Sequence, residues 1–290
     1  ERYEAVRARL VAATFPAASE RVVDVAAVAE RFDAFVLDAF GVLNVGETAV
    51  PGAVARIAQL RAAGKRLVVL TNGATQSRAE ALAKYHTLGF DFAAAEVVAS
   101  RDLAADALRE RHGVLWAAAG GPTPDFADLG VPVRDLLAEE TLFDTADGFV
   151  LFSSAGWTQA HQARLEHALA TRPRPVLVAN PDIVAPREGR FTLEPGHYAH
   201  LLQDRLGLAP AFYGKPYAGA FEVARDRLGR GIPPSRIAMV GDTLHTDVLG
   251  GRAAGLGTIL ITDHGLFRGR DTAPYVARSG IVPDIVARTF

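Results

Sequence analysis

The run Phe35-Val36-Leu37-Asp38-Ala39-Phe40-Gly41-Val42-Leu43-Asn44 constrains the fold of this chain more than any other stretch. Three large apolar residues lead directly to a single carboxylate, and a glycine follows shortly after. Such a run suits a strand covered on both faces, with Gly41 permitting the sharp exit it needs. The construction recurs far downstream, where Arg236-Ile237-Ala238-Met239-Val240 leads into Gly241-Asp242-Thr243-Leu244-His245-Thr246-Asp247. Acids at the carboxyl ends of parallel strands stand where open α/β sheets place their ligands. Asp38 alone reads equally well as a turn cap. Two strand-end acids in one sheet, however, can converge on one hard cation, because Mg²⁺ takes a few protein oxygens and keeps several waters.

Two further strand ends carry polar groups: Thr71-Asn72 after Leu67-Val68-Val69-Leu70, and Lys215 after Ala211-Phe212-Tyr213-Gly214. Backbone amides at the helix start after Asn72 are a ready anion site. Of the 31 basic side chains only Lys65, Lys84 and Lys215 are lysines. A compact ammonium on a flexible stem can approach a single phosphate oxygen in a way a planar guanidinium does not. A carboxylate, a hydroxyl with backbone amides, an ammonium and a second acidic loop together match a phosphate held against a metal.

The order Asp-x-x-Gly-Val, Leu-Thr-Asn, Gly-Lys-Pro and Gly-Asp-x-Leu-x-Thr-Asp resembles the four motifs of the haloacid dehalogenase superfamily. With Asn180-Pro181-Asp182 in mid-chain it is similar to the p-nitrophenyl-phosphatase-like (NagD-like) branch, which carries a large type-2 cap. The resemblance implies an α/β fold, a doubly wound parallel sheet with an inserted α/β cap domain. It implies a Mg²⁺-dependent hydrolase of a small phosphorylated metabolite, with Asp38 as nucleophile and Lys215 beside it. Metal ligands would be Asp38, the Phe40 carbonyl and Asp242, supported by Asp247. Thr71, Asn72 and Lys215 would hold the phosphate, and Asn180 and Asp182 of the cap would face the substrate.

The composition leaves room for this reading. At 290 residues the chain accommodates a core and an inserted second domain. A net charge of -2 gives no basic excess for nucleic acid, and no apolar run approaches the roughly 20 residues of a spanning helix. There is no cysteine, so neither disulfides nor thiolate chemistry enters. No Gly-x-Gly-x-x-Gly follows the first strand, which leaves a nicotinamide or flavin cofactor without support. The first residues lack the pattern of a secretory signal, which points to the cytoplasm.

The division expected is a core of residues 1–97 plus 208–290 and a cap of residues 98–207. Within the core, residues 1–30 read as an N-terminal helical extension: Tyr3, Val6 and Leu10 form a stripe, and Val22 to Phe32 resumes helical spacing. It packs on the core or a partner and has no catalytic role in this reading. A helix from Pro51 to Leu60, a strand 66–70 and a helix from Ser77 to Leu88 follow. The insert alternates strands at Val114–Ala118, Gly148–Phe152 and Pro175–Ala179 with a helix near Thr158–Ala170, so it is its own α/β unit. Two crossings to the core would let it act as a hinged lid, and its alanine-rich surface could supply a homodimer face. Asn-Pro-Asp is also good turn chemistry with no function. His197 and His200 share a helix face, a spacing far commoner as surface than as a metal pair. The last section expects strand Ala211–Gly214, helix 217–229, strand 236–240, helix 245–254 and strand Thr258–Ile261.

One position departs from the resembled pattern. The superfamily's phosphatases carry a second aspartate two residues after the nucleophile, which protonates the leaving group and activates water; here that position is Phe40. A phenyl ring transfers no proton, and general acid/base catalysis is worth about 10²–10⁴ in rate. Three alternatives stay open: a slow phosphatase for good leaving groups, recruitment of another proton carrier such as Asn44, Asp182 or His161, or a non-catalytic phosphometabolite-binding protein. A structural or partner-binding role would need a use for the N-terminal segment.

Overall fold

The computed structural model describes residues 1–187 and 190–290. Seven parallel strands form the core sheet, in the order Glu20–Asp24, Ile285–Thr289, Gly257–Ile261, Ile237–Gly241, Ala34–Leu37, Arg66–Thr71 and Val97–Ala99. Strands Ile237–Gly241, Ala34–Leu37 and Arg66–Thr71 are apolar without alternation and buried along nearly their whole length, as strands covered on both faces must be. Phe35, Leu37, Val69, Val240 and Ile259 pack into one apolar cluster, and Val36, Val68, Leu70 and Met239 into another with Phe221 and Leu228. Each such side chain taken fully from water contributes about 1.5–3 kcal/mol.

Register decides what the sheet delivers. Leu37 lies opposite both Val240 and Val69, so the residues after the three strands emerge level with one another. Asp38, Asp242 and the Thr71-Asn72 pair therefore open on one edge. The Asp38 amide continues the ladder by donating to the Val240 carbonyl at 2.8 Å, and only then does Gly41 turn the chain away at φ 77°.

The inserted cap is a second open sheet of five parallel strands, ordered Ala211–Phe212, Val176–Val178, Gly148–Leu151, Trp116–Ala119 and Val133–Asp135. It has its own core, in which Leu165 and Leu169 of helix Gln159–Thr171 meet Phe143, Phe149 and Leu202. A hairpin, Val184–Arg187 with Arg190–Leu193, hangs from it beside helix Pro195–Leu206. Helix starts follow local chemistry: Ser77 and Glu80 form a reciprocal cap on Arg78–Thr87, and Pro195 occupies a first-turn position.

Three expectations are corrected. The segment expected as a helix over Val22–Phe32 begins as strand Glu20–Asp24, the edge of the core sheet, and only then coils as a 3₁₀ turn, Val25–Arg31. The β-branched pair Val22-Val23 is stiff at χ1 and takes the ladder that Ile285–Thr289 offers. Ala211–Phe212 belongs to the cap sheet, paired with Val178 and Leu177, and not to the core. The helix expected over 245–254 is a π-helical turn, Leu244–Val248, followed by a short α-helix, Leu249–Ala253. Among the described residues no helix is long and apolar enough to cross a membrane.

Candidate active site

At the carboxyl edge of the core sheet, three carboxylates and one ammonium share a buried cluster. Lys215 Nζ lies 2.6 Å from Asp38 Oδ1 and 2.7 Å from Asp247 Oδ1. Asp38, Asp242 and Asp247 each present an oxygen within 4.8 Å of the others. All four side chains are buried, with Lys215 only 2 % exposed. Burial alone would push the Lys215 ammonium down, but Asp247 and Asp38 reverse this and hold it charged, well above its ordinary value. Burial, with the charges of Asp38 and Asp247, raises Asp242 far above the carboxylate range. Asp247 is raised in the same direction, by burial first and by Asp38, against the pull of Lys215. One cation does not neutralise three buried acids. An all-oxygen donor set with surplus negative charge fits a hard divalent ion such as Mg²⁺.

The acids are aimed by backbone. Asp242 accepts from the Leu266 amide at 2.6 Å and from the Thr243 hydroxyl at 2.9 Å. Asp247 Oδ2 accepts from the Thr243 amide at 3.0 Å, so the π-helical turn folds the second acid back beside the first. Its Oδ1 has no well-aligned hydrogen bond, the Lys215 contact being one of charge. That leaves an oxygen lone pair available to a ligand.

Asn72 ties the parts together. Its Oδ1 accepts from the Lys215 amide at 2.7 Å, and its Nδ2 donates to the Lys215 carbonyl at 3.0 Å and to Asp182 Oδ1 at 2.9 Å. The fit needs Gly214 at φ 126°, where an added Cβ would stand 2.5 Å from Asn72 Oδ1. Thr71 Oγ1 accepts from the Gly73 amide at 3.0 Å, turning the loop over the cleft. The cleft between the two sheets holds about 270 Å³ and is lined by Asp38, Phe40, Asn44, Thr71, Asn72, Asn180, Asp182, Lys215 and Asp242.

The site candidates from the sequence thus meet in one place, Asn44 and Asp182 of the proton-position alternatives among them and His161 not, with Asp247 directly behind the lining as a partner of Lys215. Asn180 is partly the turn residue its sequence suggests, since its Oδ1 caps the Asp182 amide at 3.0 Å. Asp182 instead reaches across to Asn72 of the core. Among the described residues no histidine lines the cleft. His161 serves its own helix start, taking the Thr158 amide at 3.2 Å, and packs on Trp157. His200 is buried against Phe212 and Gln203, and His197 packs edge-on to Tyr198.

Sequence reasoning missed the N-terminal segment. Tyr3 lines the cleft, accepts from the Ile183 amide at 3.2 Å and stacks on His245 at 4.6 Å. Glu4 bonds to His245 of the core, while Arg2 and Arg9 pair with Asp204 of the cap at 2.7 and 2.6 Å. The segment spans both halves. Its Tyr3–Val6–Leu10 stripe was visible, but nothing local tells which surface a short apolar stripe covers.

Comparison with known proteins identifies the family. The family model described as haloacid dehalogenase-like hydrolase matches residues 35–131, and a second model of the same hydrolases matches residues 212–289. Human glycerol-3-phosphate phosphatase is 32% identical over 288 residues, covering 87% of each chain. This chain belongs to the haloacid dehalogenase-like hydrolases. Within them it falls in the NagD-like, p-nitrophenyl-phosphatase-like branch. A possible sugar phosphatase of this superfamily from Cytophaga hutchinsonii superposes with a TM-score of 0.80 at 27% identity, covering 93% of this chain and 98% of its own. The 4-nitrophenylphosphatase from Thermotoga maritima does so with 0.72 at 25%, covering 90% and 96%.

Proposed function

We propose that this protein is a Mg²⁺-dependent hydrolase of a small phosphomonoester, acting through an aspartyl-phosphate. The observation that carries the reading is Lys215 Nζ set 2.6 Å from Asp38 inside a buried cluster of three acids. Asp38 would attack phosphorus, the bond to the leaving oxygen would break, and water would then release phosphate and regenerate Asp38. Thr71, Asn72 and Lys215 would neutralise the transferring oxygens. Asp38, Asp242 and the Phe40 carbonyl would hold Mg²⁺, with Asp247 in support; the ion would supply positive charge to the phosphoryl oxygens. A cleft of about 270 Å³ lies below the roughly 300–1,000 Å³ of drug-sized pockets, which favours a small metabolite. The relatives named as phosphatases of glycerol phosphate and nitrophenyl phosphate support the reaction class.

The test is Mg²⁺-dependent release of nitrophenol from p-nitrophenyl phosphate by wild type and by Asp38→Asn. Activity that requires the ion and vanishes in the variant is expected; release that survives in Asp38→Asn refutes the mechanism. Phe40 favours a second reading, a phosphometabolite-binding protein without turnover. A wild type that is stabilised by phosphate yet releases no nitrophenol would select it.

A further inference from the structure

We infer that Asp182 of the cap is the proton carrier of this site, taking the part that Phe40 cannot play. The inference rests on the phosphatase reading above. It follows from an inventory of the cleft. Apart from Asp38, Lys215 and Asp242, the ionisable groups lining it are Tyr3, Lys84, Tyr85, Asp182 and Glu194. Burial drives both phenols far above neutral, so neither yields a proton readily or serves as a base. Lys84 is paired with Glu47 at 2.8 Å. Glu194 accepts from the Thr192 hydroxyl with one oxygen and from Asn180 with the other.

Asp182 differs from all of these. One oxygen accepts from Asn72 Nδ2 at 2.9 Å, and its backbone amide is fixed by Asn180. No hydrogen bond engages its second oxygen among the described residues. Asn72 holds the Lys215 main chain through both its amide and its carbonyl, so one side chain links Asp182 to the backbone of the residue whose ammonium touches Asp38. The carboxyl belongs to the cap and reaches the core at Asn72; in-line attack by Asp38 from the core sends the leaving oxygen to the opposite side of phosphorus. Burial lifts it to about 7, held back by the Asn72 hydrogen bond and the charge of Lys215, so both of its protonation states are accessible near neutral pH.

The steps balance. As Asp38 Oδ bonds to phosphorus, the phosphorus–oxygen bond of the ester breaks, and the leaving oxygen takes the bond pair and the proton of Asp182. The Asp182 carboxylate then takes a proton from water as that water bonds to phosphorus and the Asp38–phosphorus link breaks. Phosphate departs and both aspartates return to their starting states.

The experiment compares wild type and Asp182→Asn, with Mg²⁺, on a series of ring-substituted phenyl phosphates. Asparagine keeps the volume and an oxygen for Asn72. Turnover of unsubstituted phenyl phosphate should fall about 10²–10⁴-fold, with a steeper dependence on leaving-group acidity. p-Nitrophenyl phosphate, which needs little protonation, should still give a stoichiometric burst of nitrophenol before a slow phase. Phe40→Asp added to Asp182→Asn should restore phenyl phosphate turnover by placing a carboxyl at another position of the cleft lining. Equal loss across the series without a burst, and no rescue by Phe40→Asp, would overturn Asp182 as carrier. An Asp38→Asn control keeps the two readings apart. Wild type activity that survives in Asp38→Asn refutes the aspartyl mechanism, and Asp182 with it; activity that depends on Asp38 but not on Asp182 refutes only the present inference.

Discussion

The two sheets of this protein are built alike, yet they carry different chemistry. Each is open and parallel, and each is covered by helices. At the carboxyl edge of the core sheet stand Asp38, Thr71-Asn72 and Asp242, side by side because the strands are in level register. At the corresponding ends of the cap strands stand Gly120 after Ala119, Phe152-Ser153 after Leu151, and Asn180 with Asp182 after Val178. Architecture supplies the edge; the residue that ends each strand decides what the edge does. The core concentrates negative charge around one lysine, while the cap contributes a single carboxyl against Asn72. The N-terminal segment adds contacts of its own between the two, through Tyr3, Arg2 and Arg9.

Removing the core's chemistry should have the largest effect. Asp38→Asn is expected to lower Mg²⁺-dependent turnover of p-nitrophenyl phosphate by about 10³-fold or more, as loss of a nucleophile does; a loss under tenfold would put the nucleophile elsewhere. Next comes Lys215→Met, which leaves Asp38 and Asp247 buried without their cation. The expected cost is about 3–5 kcal/mol at neutral pH without divalent ion, read by urea denaturation, and Mg²⁺ should bind the variant still. Were Lys215 merely filling space, methionine would be nearly neutral.

The cap's core can be tested independently of the catalytic edge. Leu165→Ala is expected to cost about 2–5 kcal/mol, measured as a fall in Tm. Hydrogen exchange should show the weakening confined to the cap sheet if the two cores fold as separate units.

The pH dependence sharpens the contrast further. Burial raises Asp182 to about 7 and raises Asp247 as well, so the folded protein without metal holds protons that the unfolded chain releases near 4. The folded state then binds more protons over that range, and stability falls as pH rises from about 4 through about 7. Asp182→Asn should flatten the profile of Tm against pH. An unchanged slope would mean that the cap carboxyl ionises freely. The smallest effect expected is that of Arg9→Ala, whose part-exposed pair with Asp204 is worth about 0.2–1 kcal/mol. A larger drop in Tm would show that the N-terminal segment is what holds the two sheets together.

Much of this was legible in the sequence, because the core strands are buried on both faces and must be written as unbroken apolar runs. Each run ends in a polar residue whose position in the chain marks it. Asp38, Thr71, Asn72, Asp242 and Asp247 were found that way, and so was the alternation that betrays the cap; Lys215 follows Ala211–Phe212, a strand of the cap sheet. What misled the reading was weakly patterned: Val22-Val23 took a strand because an edge of the sheet needed a partner, and Ala211–Phe212 joined the cap because Val176–Val178 lay open.

By itself, the sequence determined the fold class, the strand-end residues and the absence of a carboxyl at Phe40, all of which are local: a run, its end and a side chain. Only the tertiary structure decided that Asp247 folds back beside Asp242, that Tyr3 reaches the cleft, and that Asp182 rather than His161 faces Asn72. Those are contacts between segments far apart in the chain. Their outcome depends on which buried polar groups find partners once the two sheets close on each other, and no periodicity records that.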